Sequence, residues 1–346
     1  MAIVGHFESL AEAQKLVQSE LLAGVVQEVY EEGQLLQRLP VTTIDSKTLQ
    51  YNRESTLPSA AFYDIHEQVP WTADTNFTQK EVSLKISIRQ DVLDNFMMKT
   101  YRNPNDYRTV ILNALRKGVM RTIEDKLIYG NVDSDSAEFD GFGHLLDADV
   151  ATGTAGAWGT GTSAQIMDMG GSTTAVTMKV LRELVDKVRP KPSILLMTRT
   201  SRNILSATAF EKGLVLSNTG GGRGPTYGVD QFGSRIDYFD GVPVVISDYL
   251  GGSYGETDNT VNKATSASGF ISIWAIRFGS IMDGGLSLVT GGETGGVNLF
   301  KLTELEDLED YDAGGLRLVA YVALAQGSSK ATAVIHSIYE AGQIIG

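Results

Sequence analysis

Between Asp106 and Gly130 the chain reads DYRTVILNALRKGVMRTIEDKLIYG, and no other stretch restricts the possible folds so firmly. Leu112, Leu115, Val119, Ile123 and Leu127 recur at steps of three and four, which lays one apolar stripe along a helix. Arg108, Arg116, Arg121, Glu124 and Asp125 fall mostly off that stripe, where water can reach them. Pro104-Asn105-Asp106 supplies a turn residue and two N-cap candidates, and Gly130 can take the left-handed conformation that closes a helix. Such a rod is about 34 Å long. Its flanks give it meaning: a two-armed strand region precedes it and a β-rich, glycine-dense region follows.

Before the rod, Glu8 to Tyr30 reads as a helix with Leu10, Val17, Leu21, Val25 and Val29 on one side, and Ser9 to Glu12 has the spacing of a capping box. It is either a packed core helix or an arm that docks elsewhere. From Val41 the period changes to two. Val41 to Tyr51 is strand-like, and Lys80 to Arg89 alternates, with Val82, Leu84, Ile86 and Ile88 on one face. Between these arms lies a long aperiodic stretch holding Arg53, Glu54, Pro58, Pro70 and the aromatics Phe62, Tyr63, Trp71 and Phe77. Loops of that length are uncommon inside compact domains, and a hairpin with so little core does not stand alone. It is either an ordinary hairpin with a surface loop or an arm lying on a neighbouring subunit.

After the rod come an acidic turn (Asn131 to Asp140) and a Gly/Ser/Thr-rich stretch (Ala148 to Thr174). A helix follows over Thr177 to Val188, then a buried strand, Ser193 to Thr198, and a short helix that Thr200 or Ser201 could cap. Ile236 to Phe239 and Val242 to Ile246 are strands joined at Asp240-Gly241, a hairpin signal. Further strands are expected at Phe270 to Arg277, Leu286 to Thr290 and Val297 to Leu302. An acidic run, Thr303 to Asp312, precedes two closing strands, Leu316 to Ala325 and Ala331 to Ile338.

Charge and composition exclude several functions. The net charge is −13 and no Lys/Arg-rich arm occurs, so counterion release has little to work with and the chain does not grip nucleic acid. With no cysteine there is neither a disulfide framework nor a thiolate metal site. MAIVGHFESL lacks the basic start and apolar run of a secretion signal, and Leu316 to Ala325 is too short to cross a bilayer. The expectation is a soluble protein made in the cytoplasm.

Catalytic motifs fail on context. Gly251-Gly252-Ser253-Tyr254-Gly255 matches a nucleophile elbow, but a helix must follow the serine and Glu256-Thr257-Asp258-Asn259 reads as loop; the only downstream histidine, His336, sits in a strand. Gly159-Thr160-Gly161 lacks the strand and third glycine of a dinucleotide site. Asn131, Asp133, Asp135 and Glu138 have the look of a calcium loop, but Ser136 stands where the turning glycine belongs. His6, His66, His144 and His336 are scattered. No catalytic residue, cofactor or metal ligand is assigned.

Three stretches carry a family resemblance: Glu124 to Gly130 with Asp140-Gly141-Phe142, the hairpin Tyr238-Phe239-Asp240-Gly241-Val242-Pro243-Val244, and the alternating strand Leu316 to Ala325. Together, in this order, they resemble the major capsid proteins of tailed bacteriophages, the Hong Kong 97-like fold. The last strand departs from that pattern, with Lys330-Ala331 where members often have a proline before the alanine. The resemblance implies an α+β fold with an N-terminal arm (1–40), an extended loop (41–90), a peripheral domain with a long spine helix (91–147 and 297–346) and an axial domain (148–296). It implies hexamers and pentamers in an icosahedral shell of a virion, assembled in the host cytoplasm around DNA with a portal protein, and no membrane. The short segment before Val41 points to a separate scaffolding protein. Arg53, Glu54, Tyr63, Trp71, Phe77, Glu309 and Asp310 become the candidates for contact between subunits. The lysine and asparagine that crosslink some members find no counterpart. An encapsulin-like compartment shares the fold and stands as the alternative, with a serine hydrolase behind it.

Overall fold

The computed structural model describes residues 35–56, 59–69, 71, 76–100, 107–148, 165–169, 176–211, 226–229, 235–251, 255–256, 263–265, 268–291, 300–305, 308 and 311–339. The expected helix at Glu8 to Tyr30, Gly159-Thr160-Gly161, Ser253, Glu309 and Asp310 lie outside them. In chain order the elements are α1 (Leu35–Arg38), β1 (Val41–Ile44), β2 (Thr48–Thr56), β3 (Asn76–Ser83), β4 (Lys85–Asp94), α2 (Asn95–Thr100), α3 (Tyr107–Tyr129), α4 (Phe142–Ala148), β5 (Ile166–Asp168), α5 (Met178–Lys187), β6 (Ile194–Met197) and α6 (Arg199–Glu211). Then follow β7 (Thr226–Val229), β8 (Arg235–Phe239), β9 (Val242–Ile246), β10 (Phe270–Ile276), β11 (Leu286–Gly291), β12 (Lys301–Leu305), β13 (Ala313–Gln326) and β14 (Thr332–Tyr339). The architecture is mixed α+β.

The expected rod is α3, and its stripe is buried at Leu115, Val119, Ile123 and Leu127. It packs on β13, the hub of a five-stranded sheet. The first part of β13 pairs antiparallel with both β4 and β12, and its last part with β11, which in turn takes β1 in parallel. Leu316, Leu318, Ala320, Val322 and Leu324 alternate along β13 and face the helix. On the opposite face Ala323 and Ala325 are covered by Leu49, Tyr51, Val82 and Leu84 from the base of a separate two-stranded hairpin, β2–β3. A strand covered on both sides carries an almost continuous apolar run, as LRLVAYVALA does.

The second sheet has seven strands in the order β5-β14-β10-β6-β9-β8-β7. One face joins the α3 core through Leu196, Val245, Trp274, Ile276 and Val334. The other packs Leu195, Met197, Ile273 and Ile335 against Leu181, Leu184 and Val185 of α5. The turn at Asp240-Gly241 has φ of 50° and 73°, the paired left-handed conformations of a type I′ hairpin. α6 is capped by Thr198, whose Oγ1 accepts the Ser201 amide at 3.2 Å, two or three residues earlier than Thr200 or Ser201 would place it.

Several expectations change. The strand expected over Lys80 to Arg89 breaks at Leu84: β3 belongs to the hairpin and β4 to the large sheet, so the alternation crosses from one sheet to the other. Likewise Val41 to Tyr51 divides at 45–47 into β1 and β2. The two closing strands part company, because β14 pairs with β10 and β5 in the seven-stranded sheet, whereas β13 stays with α3. Glu124, read as water-facing, is buried and accepts the Leu36 amide, at 3.4 Å, where α1 meets α3; burial pushes its carboxyl upward against that hydrogen bond.

Gly130 ends α3 for a reason other than the left-handed one expected. Its φ is not positive. Instead residues 139–141 double back so closely that a Cβ at Gly130 would lie 2.2 Å from the Phe139 carbonyl oxygen, and the helix's own Lys126 carbonyl oxygen would be 2.6 Å from it. At Gly118, an exposed turn of the same helix, a Cβ meets nothing within 4 Å. Gly130→Ala is expected to destabilise the subunit by about 3 kcal/mol through forced overpacking. Gly118→Ala is expected to stabilise it by about 1 kcal/mol through helix propensity. Urea denaturation of both variants checks the pair, and equal midpoints would refute it.

Candidate assembly surfaces

The β2–β3 hairpin leaves the body at two short spacers, 45–47 and Leu84. Its base is tied down by two side chains of β2. The Tyr51 hydroxyl donates to the Gln326 carbonyl at 2.7 Å, and Arg53 donates from Nε to Gly327 O at 3.0 Å and from Nη2 to Gln326 O at 3.1 Å. These carbonyls lie at the end of β13, where the sheet ladder has stopped and acceptors are left over. Arg53 is thus engaged within its own chain.

Beyond the base the apolar side chains meet water. Phe62 and Trp71 are fully exposed, Ile65 and Val69 largely so, and Phe77 is 69% exposed opposite Glu54 in the ladder. Tyr63 is 42% exposed. Single exposed hydrophobics are ordinary, but several on one projecting segment mark a surface that something covers. A second open strip lies on the large sheet. Ile86 and Ile88 of β4 stand beside Tyr321 and Val319 of β13 on the face away from α3, 62% and 53% exposed. Sequence reasoning put Ile86 and Ile88 on one face with Val82 and Leu84. Only the latter pair is covered, and period-two alternation looks the same in either case. Of the named candidates, Tyr63, Trp71 and Phe77 are exposed on or between the hairpin arms, and Glu54 pairs with Phe77 in the ladder.

The acidic turn after α3 is a closed structure. Asn131 Oδ1 accepts the amides of Asp133 and Ser134 at 2.8 and 3.3 Å, and Glu138 pairs with Lys126. His144 lies between two carboxylates, Nδ1 2.7 Å from Asp140 and Nε2 3.2 Å from Asp133. The oxygens that had the look of a calcium loop are spent on the turn and on this imidazole. Among the described residues no three His, Asp or Glu side chains are grouped to hold a metal ion, and no helix is long and apolar enough to cross a membrane. Next to the supposed elbow, Glu256 forms β-bridges to Lys263 and Phe270, and Ser253 itself lies outside the described residues. His336 is fully buried, its Nδ1 2.8 Å from Ser337 Oγ.

No protein-family model matches the chain, and no curated protein matches it in sequence. Solved structures do. The holo-SrpI encapsulin complex of Synechococcus elongatus superposes over 97% of this chain and 98% of its own, at a TM-score of 0.65 and 16% identity. The capsid of an empty GTA particle covers 94% and 97% at a TM-score of 0.60 and 14% identity. A structure from Mycobacterium phage Adephagia covers 95% and 97%, at a TM-score of 0.54 and 12% identity. The fold is Hong Kong 97-like. Identities of this size establish the fold alone, and within the Hong Kong 97-like fold the correspondence runs nearly end to end.

Two outcomes follow from the geometry. Replacing Arg53 by Ala, together with Tyr51→Phe, is expected to cost about 2 kcal/mol locally. Amide exchange should then quicken in β2 and β3 while α3 is unaffected; unchanged hairpin protection would contradict the tether. The hydrogen bond that His144 donates to Asp140, assisted by Asp133, raises the His144 pKa above its usual 6.5, although burial opposes it. A group held protonated in the folded state stabilises fully below its unfolded value and loses that contribution as pH rises through the raised one. His144→Gln should therefore cost about 1.5 kcal/mol at pH 6 and much less at pH 9, read from urea midpoints.

Proposed function

We propose that this chain is a structural shell subunit. On this reading its copies assemble as hexamers and pentamers into the icosahedral head of a tailed double-stranded DNA bacteriophage. The observation that carries the reading is the hairpin, which bears Phe62, Tyr63, Trp71 and Phe77 away from the chain's own core. A neighbouring copy is the partner that covers them, and the Ile86–Ile88–Tyr321 strip is an open apolar surface of the complementary kind. The fold-level correspondence with capsid and encapsulin structures supports the reading. The sheet packed by α3 is then the peripheral domain and the seven-stranded sheet the axial one. The subunit performs no catalysis. An acidic wall of net charge −13 repels the enclosed DNA, so an external motor acting through a portal protein supplies the work of packing, and a separate scaffolding protein guides assembly in the host cytoplasm.

A second reading is an encapsulin-like compartment, favoured by the likeness to the holo-SrpI complex. Electron microscopy of particles purified from the native source separates the two: double-stranded DNA in the lumen marks a phage head, a packaged enzyme an encapsulin. Both require shells, and a protein that stays monomeric at high concentration refutes both. Trp71→Ala should raise the concentration needed for assembly about tenfold or more, since a buried aromatic anchor is worth about 2 kcal/mol. The same variant should leave the unfolding midpoint of the dissociated subunit unmoved, because Trp71 touches nothing there that burial would reward.

A further inference from the structure

The connection between β9 and β10 returns to the end of α3 and buries a carboxyl there. Glu256 is 1% exposed, with its backbone N–H bonded to the Phe270 carbonyl at 2.7 Å. Its Oε1 accepts two hydrogen bonds of 2.7 Å, from the Tyr129 hydroxyl on the last residue of α3 and from Ser272 Oγ on β10. Trp274 Nε1 donates to Ser272 Oγ at 2.9 Å, and the Gly251 amide donates to the Tyr129 oxygen at 2.7 Å. The donors therefore run in one direction and end on one oxygen. The other, Oε2, is buried with no hydrogen-bond partner.

We propose that Glu256 is a proton-controlled latch: as the neutral acid it fastens Gly251, its own backbone and β10 to the end of α3, and as the carboxylate it releases them. The argument is one of solvation. A buried anion with all its donors on one oxygen leaves charge on Oε2 that nothing solvates, a far larger penalty than one unmatched O–H. Few charges intervene among the described residues facing the site. From α3 come Tyr129 itself and Asp125, which is of like sign. From the connection comes Lys263, ion-paired with Asp125 and 5.3 Å from the Tyr129 ring centroid. From β10 come only Ser272 and Trp274, which carry no charge. Lys263 thus serves Asp125, and the latch is left to its own proton.

Burial raises the Glu256 pKa from 4.5 to about 7, with the Tyr129 and Ser272 hydrogen bonds pulling the other way. The closed state then binds the proton more tightly than an open, hydrated one. Its advantage is complete below pH 4.5, falls as pH rises towards 7, and is spent above it. His144 loses stabilisation with rising pH as well, so the deciding measurement is local.

The test is hydrogen exchange at the Gly251 amide in the full-length protein, corrected for the intrinsic rate, from pH 5 to 8.5. In the wild type, protection should fall about tenfold per pH unit up to pH 7 and then level off. In Glu256→Gln, which keeps the Oε1 acceptor without the titration, protection should stay flat at the acidic wild-type level. Constant protection in the wild type, or the same slope in the variant, overturns the latch. Should Glu256→Gln fail to fold, the infrared band of the protonated carboxyl in the wild type and in Tyr129→Phe reads the same quantity. Its loss should centre near pH 7 in the wild type and shift upward in Tyr129→Phe, where a donor favouring the ion is gone. A band absent at pH 6, or a midpoint unmoved by Tyr129→Phe, also overturns it.

Discussion

The C-terminal half of α3 is the member on which both sheets rest. Ile123, Leu127 and Ile128 have next to no exposed surface, and they share one buried cluster with Leu318 and Val322 from one sheet and Trp274 and Val334 from the other. Phe142, just past the acidic turn, closes the corner with its ring 6.1 Å from that of Trp274. Each such side chain buried contributes about 2 kcal/mol, so the seam is worth more than the marginal stability typical of a domain. The close approach at Gly130 and the network around His144 bring Phe142 back to the helix it has just left. Remove that return and the two sheets keep their ladders but lose their common support.

The polar groups follow the same geography. Glu124, Tyr129 and Glu256 sit where separate parts of the chain converge on α3, and their bonding partners lie 88, 127 and 16 residues away in sequence. Buried polar atoms at junctions fix the relative register of elements that apolar contact alone would let slide. The exposed apolar side chains are distributed in the opposite way, on the hairpin and on the outer face of β4.

Much of this was legible in the residues. The helical period of Asp106 to Gly130, the Asp240-Gly241 turn and the continuous apolar run of β13 are local signals, and each element formed where its signal lay. The resemblance then ordered them into an architecture the coordinates support at the level of fold. What stayed hidden is non-local. Nothing in the alternation of Lys80 to Arg89 marks Leu84 as the point where one sheet ends and another begins, because both strands share the period. Nothing in Gly327-Ser328 tells that β13 and β14 part. Glu124 carries the same letter as any solvated glutamate, and only the arrival of Leu36 from a distant segment buries it. Among the contact candidates, the aromatics could be picked from a stretch without a core of its own, whereas the tie between Arg53 and Gly327 depends on a strand some 270 residues later.

The break at Leu84 gives the hairpin a mechanical freedom that its sequence conceals. Covalently, this boom joins the hull only through 45–47 and Leu84, and neither spacer belongs to a ladder. Its pitch is governed by three side-chain bonds from Tyr51 and Arg53 and by the small apolar pad beneath them. Tilting it costs those bonds, about 1 kcal/mol apiece, and leaves every β13 pairing whole. Among the described residues the backbone hydrogen bond at this pivot runs from Leu84 to Lys47, between the two spacers themselves, so a change of tilt breaks no sheet ladder.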